Sequence, residues 1–549
     1  MWRAVNTITL SVCSFILGLI SCFAGILDLG SGYVYHTDLF RSGLILVLAA
    51  QYFLTGTSFD IVEGMSRIST RANRSALVSV WIIWSALWGL VALMSYWGLH
   101  TGDFDVGIFG QSFHSFSRGD GPFQLVQSTP NSSFWEDHQS LTIMVFSLFY
   151  MTPIGTELLL FSQAFLLFLP GLLLALWVNS KWKTYPRVWS WLILILFLQS
   201  VPIQRNTFWE WHETALSFSL LVGWGWAFAN RRPKFLFLLS LLAGLTKQYL
   251  FIVLVPGTVA YLVLNSYTGP SWVLGSLLAN IGLFVLGQII FSGVNYVTIA
   301  FGSYGNSLSE LIENFFLNPS IWATRLLESA RIDYFTDLLV ASGYLSVFSP
   351  LALAWVPLFI FHAIADRPSQ YSVYYHYSLE IWALMSVSTL YFWMLILRHF
   401  NHLKHSLTLV AVAFFLFPSS EGLLKRFRYY EPDAKFNRKV VRNIENDILE
   451  YSNDCQGQVA GFAGQWMFSS FFQLNRTYPI QSIGKMKMKK GFSELLNSED
   501  DRNCIYAIID FDEKDKLSTI LGGKKFRIIK EYDVLSFGQV RNIQLLALE

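Results

Sequence analysis

Repeated apolar runs, many close to the length of a membrane span, constrain this chain more than any other feature. A helix of about 20 apolar residues crosses a bilayer. Only 14% of the residues are charged, against about 25% in soluble domains. We therefore expect a polytopic α-helical membrane protein with about 11 to 13 transmembrane helices. The predicted spans are Thr7–Leu27, Leu39–Leu54, Leu77–Leu99, Glu157–Val178, Val188–Ile203, Thr214–Ala229, Phe235–Leu245, Leu250–Leu264, Trp272–Phe291, Tyr344–Ile364, Leu379–Leu397 and Ser406–Phe417.

Two apolar stretches do not fit a simple span. Leu141–Met151 is too short and ends at Thr152-Pro153, so we expect it to lie along the membrane interface. The run Tyr344–Ile364 contains Pro350 and Pro357, and proline removes a backbone donor from a helix. We expect these prolines to break that run into a re-entrant pair.

Basic residues in short loops indicate the orientation, because cytoplasmic loops carry an excess of lysine and arginine. All five clusters fit the cytoplasm if the N-terminus is inside. This predicts that the loop 100–140 lies outside. We expect the membrane to be a bacterial inner membrane. The clusters are Arg3, Arg67 to Arg74, Lys181 to Arg187, Arg231 to Lys234, and Arg398 to Lys404.

The character of the chain changes after Pro418, which divides it into a transmembrane domain (1–418) and a soluble α/β domain (419–549) outside the membrane. Whether Cys455 and Cys504 form a disulfide in that domain stays open. The predicted elements are the strands Gln458–Phe462, Ile505–Phe511, Phe526–Lys530 and Val534–Phe537 and the helices Val440–Tyr451 and Asp512–Leu521.

Polar side chains gather at the external side of the predicted spans. Asp103 and Asp105 follow the span Leu77–Leu99, and Asp105 is embedded in apolar sequence. A carboxylate at a membrane surface is costly unless it has a charged partner or a function. Such a residue can act as a general base or as a ligand of a cation. The alternative is an ordinary exposed loop.

Three further clusters join this one. His138 precedes a short apolar helix, and Glu210 and Glu213 share a helix face because they are three residues apart. Lys247 lies between two apolar runs, where a lysine either reaches the headgroups or meets an anion. The candidate site residues are Asp105, Gln111, His138, Arg205, Glu210, His212, Lys247 and His376.

Carboxylates, histidines and a deep cation at one surface suit a lipid-linked anionic substrate in contact with membrane lipids. A divalent cation, Mg²⁺ or Mn²⁺, would bridge carboxylate and phosphate. A net charge of +2 does not indicate that the protein binds nucleic acid. The sequence also contains no nucleotide-binding, GxSxG or HExxH motif. The candidate ligands of the cation are Asp105, His138, Glu210 and His212.

The order of these motifs resembles a family of predicted membrane proteins, DUF2079. The segment from Phe104 to Gln111 resembles its FDLGIFDQ signature, and the resemblance runs from Leu77 to Phe537. Further segments resemble family motifs in the same order: His138 resembles HFSP, Phe208–Leu216 resembles FHPE, Leu245-Thr246-Lys247 resembles KED, and His376-Tyr377-Ser378 resembles HYS. Arg476-Thr-Tyr-Pro479 and Tyr506–Asp510 resemble its C-terminal region.

That family is grouped with the GT-C glycosyltransferases, so the resemblance implies a GT-C-like enzyme. Such an enzyme moves a sugar from a polyprenyl-phosphate carrier to a glycan, lipid or protein acceptor at the outer face. Asp105 falls on the aspartate of the first large external loop, the general base of an inverting transfer. Lys247 and Arg205 would stabilise the departing phosphate, and Glu210, His212 and His138 would position the acceptor or a cation.

Two other functions stay open at this stage. A transporter or flippase also carries polar residues within its spans, although the chain shows no internal repeat and its polar residues do not gather at the midplane. A scaffold without catalytic activity is the second alternative. Gly110 and Gln248 stand where the family has acids, which favours that alternative.

Overall fold

Apolar helices make up most of the chain before residue 400. The computed structural model describes residues 70–100, 105–122, 134–136, 140–181, 188–208, 211–265, 269–290, 300–305, 307–342, 345–399, 423–453, 459–463, 476–479, 504–510, 526–536 and 539–548. The apolar helices are α1 (Thr70–Trp97), α2 (Asp105–Ser117), α3 (Thr142–Phe146), α4 (Gly155–Ser180), α5 (Val188–Gln199), α6 (Val201–Phe208), α7 (Thr214–Ala229), α8 (Pro233–Thr246), α9 (Phe251–Leu264) and α10 (Pro270–Ile290). They are followed by α11 (Leu308–Leu317), α12 (Pro319–Leu326), α13 (Ser329–Ser342), α14 (Ala352–Ala363) and α15 (Tyr377–His399).

These helices confirm the prediction of a polytopic helical protein. Among the described residues, four helices are long and apolar enough to cross a membrane, namely α1, α4, α10 and α15. Shorter apolar helices, among them α7, α8, α9 and α14, pack between them. The predicted spans Thr7–Leu27, Leu39–Leu54 and Ser406–Phe417 lie outside the described residues.

The bundle has two distinct ends. At the lower end, Asn73 at the start of α1 donates a hydrogen bond to Asn179 at the end of α4 (2.8 Å). At the upper end, Thr214 at the start of α7 contacts Lys247 at the end of α8. The basic residues Lys181, Arg231 and Arg232 follow helix ends at the lower end. Thr214 and Lys247 therefore lie at the end of the bundle opposite these three basic residues.

Proline explains where two predicted spans break. The predicted span Val188–Ile203 is wrong in extent, because Ser200 interrupts it and α6 starts with Val201-Pro202. Proline lacks the amide donor that would continue the helix, and Gln204 Nε2 instead donates to the freed carbonyl of Leu198 (2.7 Å). The run Tyr344–Ile364 is likewise divided, at Pro350, into a 3₁₀ turn (Leu345–Phe348) and α14.

The polar part of the chain folds as a long helix and a sheet. Helix α16 (Leu423–Asn453) extends well beyond the predicted Val440–Tyr451. The strands are β1 (Val459–Ala463), β2 (Arg476–Pro479), β3 (Cys504–Asp510), β4 (Phe526–Ser536) and β5 (Gln539–Leu548), in the order β2-β1-β3-β5-β4 within the described residues. β1 is parallel to β2 and β3, and β5 is antiparallel to β3 and β4.

The C-terminal strands correct one prediction. Phe526–Lys530 and Val534–Phe537, predicted as separate strands, belong to the single strand β4. The charged segment between them stays extended because it pairs with β5, with an irregularity between Ile528 and Lys530. Strand β5 is not predicted from the sequence. Its residues carry no regular alternation, because Ile543 to Ala547 are all buried.

The C-terminal part is attached to the bundle through the end of α1. Leu99 adopts a left-handed conformation (φ 61°) just past the helix, and the amide of His100 donates to the carbonyl of Ser95 (2.9 Å). A glycine usually occupies this capping position. The leucine side chain is 2% exposed, because it packs among Ile444 and Ile448 of α16 and the strands. His100 Nε2 lies 2.8 Å from Asp433 Oδ2.

The Leu99→Ala variant tests this attachment. Removing a buried leucine costs about 2–5 kcal/mol, so we expect the C-terminal part to be cleaved much faster in limited proteolysis than in the wild-type protein. Leu449→Ala is the matched control, because Leu449 lies on α16 but is exposed. Equal cleavage rates for the two variants would contradict the packing role of Leu99.

Candidate functional site

Three side chains from distant parts of the sequence converge at the upper end of the bundle. Asp105 is the first residue of α2, His212 precedes α7, and His376 precedes α15. Their ligand atoms all lie within 4.8 Å of one another. The rings of the two histidines stack with centroids 3.5 Å apart. We call these three residues the acid–histidine cluster.

His212 is fixed by neighbours on two helices. Its backbone amide donates to Gln163 Oε1 of α4 (3.0 Å), and Gln163 Nε2 donates to the carbonyl of Asn206 (2.6 Å). The ring of Phe109, on α2, packs edge-on against His212, with centroids 5.2 Å apart. The buried glutamine thus holds the backbone on both sides of the segment that carries His212.

A carboxylate orients the imidazole of His212. Its Nδ1 lies 3.2 Å from Glu213 Oε2 and 2.9 Å from Thr214 Oγ1. The backbone amide of Thr214 also donates to Nδ1 (3.4 Å). Polar groups of Glu213 and Thr214 thus surround this nitrogen and hold the imidazole ring in place.

A buried ion cluster lies directly behind His212. Lys247, at the C-terminal end of α8, is 5% exposed. Its Nζ lies 3.3 Å from Glu380 Oε1 and 3.9 Å from Glu213 Oε1. Nζ also donates to Thr214 Oγ1 and to the hydroxyl of Tyr249. Lys247 is thus neutralised by carboxylates of the chain itself.

Glu380 anchors this ion cluster. It lies in the first turn of α15, is completely buried, and accepts hydrogen bonds from Ser217 Oγ (2.6 Å) and Tyr249. Burying a carboxylate is tolerated only with a paired charge and further hydrogen bonds, and both are present here. The ion cluster joins α7, α8 and α15 at their upper ends.

The balance of charge favours a cation at this site. Asp105, Glu213 and Glu380 supply three carboxylates against the one ammonium group of Lys247, which leaves two negative charges among these described residues. The acid–histidine cluster offers one carboxylate oxygen and two imidazole nitrogens. Imidazole suits transition-metal ions, so the donor set fits Mn²⁺ or Zn²⁺ better than Mg²⁺.

The other predicted site residues have different positions. The guanidinium of Arg205 lies 3.8 Å from the ring centre of Tyr374, an exposed residue close to His376 in sequence. Gln111 is buried on α2, but six residues after Asp105 it lies about 120° away around the helix. His138 and Glu210 lie outside the described residues.

Sequence reasoning missed Glu380 and did not select Glu213. Glu380 stands in apolar sequence at the start of a span, the same signal that singled out Asp105. Glu213 lies in the segment that resembles FHPE and shares a predicted helix face with Glu210, but it is not among the predicted site residues. The sequence predicts Lys247 as a ligand of an external anion, and its partners in the structure are these two carboxylates.

The chain matches a known family over much of its length. The family described as "Predicted membrane protein (DUF2079)" matches residues 95–424. No curated protein matches the chain. Two solved structures are similar, both of ArnT from Cupriavidus metallidurans, one bound to undecaprenyl phosphate and one in the apo state.

The likeness to these two structures is distant. Each is 12% identical with a TM-score of 0.41 and covers 86% of this chain. The match spans 97% of the first ArnT chain and 98% of the second. A likeness at this level carries no conclusion about activity.

The Lys247→Met variant tests the ion cluster. It leaves Glu213 and Glu380 without a counter-ion, so we expect the free energy of unfolding in detergent to fall by about 3–5 kcal/mol. Adding Glu380→Gln removes one of the two charges and should recover part of the loss. Lys181→Met, at an exposed position of the lower end, is the control, and an equal loss there would argue against the cluster.

A second prediction concerns pH. Burial, aided by Arg118, lowers the pKa of His114 on α2 to about 4 from its usual 6.5. Below pH 6.5 the unfolded chain therefore binds a proton at His114 more readily than the folded protein does. The free energy of unfolding thus decreases as the pH falls from 6.5 towards 4. We expect His114→Gln to flatten the dependence of the unfolding temperature on pH over this range. An unchanged slope would contradict the burial of a neutral imidazole.

Proposed function

This chain belongs to the DUF2079 family of predicted membrane proteins, and we propose that it is a GT-C-type glycosyltransferase. It would move a sugar from a polyprenyl-phosphate carrier to a hydroxyl acceptor. The observation that carries this proposal is the convergence of Asp105 with His212 and His376 at one end of the bundle. A carboxylate beside two histidines at a membrane surface supplies a base and a place for a phosphate-binding cation.

Asp105 acts as the general base in the proposed reaction. The acceptor hydroxyl attacks the anomeric carbon of the sugar and transfers its proton to the Asp105 carboxylate. The bond between the sugar and the phosphate oxygen breaks, and the polyprenyl phosphate leaves with the electron pair. Attack from the face opposite the phosphate inverts the anomeric configuration.

Arg205 is the residue that supports phosphate binding. Its guanidinium stacks on Tyr374 and is partly exposed, near the part of the chain that carries His376. A guanidinium binds phosphate through two parallel hydrogen bonds, and this interaction strengthens as charge develops on the leaving group. Lys247 becomes a positioning residue, since Glu213 and Glu380 already neutralise it.

A divalent cation is part of the proposal. Asp105, His212 and His376 would hold it, and bound there it would offset the charge of the phosphate. The Glu213 carboxylate, 3.2 Å from Nδ1 of His212, would add negative charge next to the bound cation. The mixture of oxygen and nitrogen donors favours Mn²⁺ or Zn²⁺.

We place the reaction at the outer face of a bacterial inner membrane. The lower end of the bundle carries Arg71, Arg74, Lys181, Arg231 and Arg232, and an excess of basic residues is typical of the cytoplasmic side. The site at the opposite end then faces outward, together with the C-terminal sheet. This orientation also sets the N-terminus inside the cell.

The Asp105→Asn variant tests the proposed base. Purified protein is incubated with labelled polyprenyl-phosphate sugars and acceptor extracts, and we expect the rate of sugar transfer to fall by about 10²–10⁴-fold because the amide cannot take the proton. Asp120→Asn is the matched control, since Asp120 is exposed just beyond the same helix. It should transfer at the wild-type rate.

Three outcomes would contradict the function. Normal transfer by the Asp105→Asn variant, at equal protein level, would exclude Asp105 as the base. Vectorial movement of the labelled lipid across vesicles without sugar transfer would favour a transporter. Neither transfer nor movement by the wild-type protein would favour a scaffold.

Removal of metal tests the cation separately. Dialysis against a chelator should abolish transfer, and Mn²⁺ or Zn²⁺ should restore it to the wild-type protein. The His376→Gln variant should need a concentration of added ion about 10–100-fold higher, since it lacks one ligand. Full activity in the presence of chelator would show that the reaction needs no cation.

A further inference from the structure

A cavity that does not include the acid–histidine cluster lies at the upper end, between the bundle and α16. Its volume is about 330 Å³, and it opens where α1, α4 and α16 meet. Most of its apolar side chains come from α1 and α4, and three of its four charged side chains lie on α16. The apolar residues include Leu93, Trp97, Leu158 and Phe161, and the charged ones are Glu157, Arg438, Arg442 and Glu445.

The four charged groups face one another without pairing. In the described part of the chain, none of them forms a salt bridge or hydrogen bond through its side chain with another side chain. Arg438 instead stacks on Trp97, with its guanidinium carbon 4.2 Å from the ring centre. Two guanidinium groups and two carboxylates thus line one cavity, where their hydrogen-bonding atoms are available to a ligand.

The two carboxylates repel each other. Burial, reinforced by the Glu157 carboxylate, raises the pKa of Glu445 to about 7, although Arg442 opposes the shift. A cation between Glu157 and Glu445 would relieve this repulsion. Arg438 and Arg442 are exposed and lie one helical turn apart on α16, a spacing that lets both reach one phosphate group.

The frame of the cavity is firmly held. Asn437 Nδ2, on α16, donates to the carbonyl of Gly98 (3.2 Å), and His100 pairs with Asp433. Leu99 anchors the same junction from inside the C-terminal core. On the bundle side, Phe161 packs tightly over Gly89, where an added Cβ would lie 2.6 Å from the ring. Phe161 therefore closes the space between α1 and α4 at this level and forms a fixed apolar wall of the cavity.

We propose that this cavity binds a bilayer phospholipid whose headgroup carries a primary amine. Its phosphate lies between Arg438 and Arg442, its ammonium group lies between Glu157 and Glu445, and the upper part of an acyl chain lies against Leu93, Leu158 and Phe161. A primary ammonium group donates hydrogen bonds to both carboxylates, whereas a quaternary one has no N–H to donate. This site is separate from the acid–histidine cluster and does not rest on the proposed function.

The test measures which lipid stays with the full-length protein. Purified protein is equilibrated in micelles with equal amounts of phosphatidylethanolamine, phosphatidylcholine and phosphatidylglycerol, and retained lipid is quantified by native mass spectrometry. We expect phosphatidylethanolamine to be retained about tenfold over the other two, as for charge-assisted hydrogen bonds. Equal retention of the three lipids would overturn the proposal.

Two double variants assign the headgroup contacts. Glu157→Gln with Glu445→Gln should make phosphatidylethanolamine and phosphatidylcholine equal, because the carboxylates are gone. Arg438→Gln with Arg442→Gln should reduce retention of phosphatidylethanolamine about tenfold. Lys435→Gln, whose side chain on the same helix is 75% exposed, should behave as wild type. Wild-type retention by either double variant would overturn the proposal.

Folding is checked independently of lipid. Each variant is unfolded by heat in detergent without added lipid, and the effect of lipid is then measured as the shift from that variant's own midpoint. Added phosphatidylethanolamine should then raise the midpoint of the wild type and of Lys435→Gln only. A rise of equal size in the two double variants would contradict the assigned contacts.

Discussion

The ion cluster of Lys247, Glu213 and Glu380 is the interaction on which the upper end of the bundle depends. It draws together the ends of three helices that are far apart in sequence. None of these charges would be stable alone in an apolar bundle, since each needs a counter-charge and hydrogen bonds. Glu213 has a second role, because its other oxygen faces Nδ1 of His212. The geometry of the acid–histidine cluster therefore depends on a lysine that is not part of it.

The same end of the bundle supports two different surfaces. The acid–histidine cluster carries surplus negative charge and suits a cation, whereas the cavity under α16 balances two arginines against two glutamates. The end of α1 connects the two surfaces, since it precedes Asp105 in the chain and its last residues hold α16 in place. Although only 14% of the residues are charged, both groups of charges lie at the upper end of the bundle.

Much of this arrangement can be predicted from the sequence, because apolar length and embedded charge are local signals. The bounds predicted for Thr214–Ala229 match those of α7 to the residue. Asp105 is singled out by its apolar neighbours together with the family resemblance. Which charged residues pair with one another depends on tertiary contacts, and these contacts cannot be predicted from a single sequence. The sequence alone therefore predicts an external anion as the partner of Lys247. It does not single out Glu380, which stands in apolar sequence at the start of a predicted span. The break at Ser200 is not predicted, because the surrounding residues are apolar enough to suggest one continuous span in spite of Pro202.

The convergence of Asp105, His212 and His376 is the central claim, and pulsed electron paramagnetic resonance of the Mn²⁺-loaded protein tests it most directly. Modulation from two imidazole nitrogens is the predicted result, since both histidines would bind the ion. Each of the variants His212→Gln and His376→Gln should then show a single nitrogen. A spectrum of fully hydrated Mn²⁺, or one that the two substitutions leave unchanged, would contradict the claim.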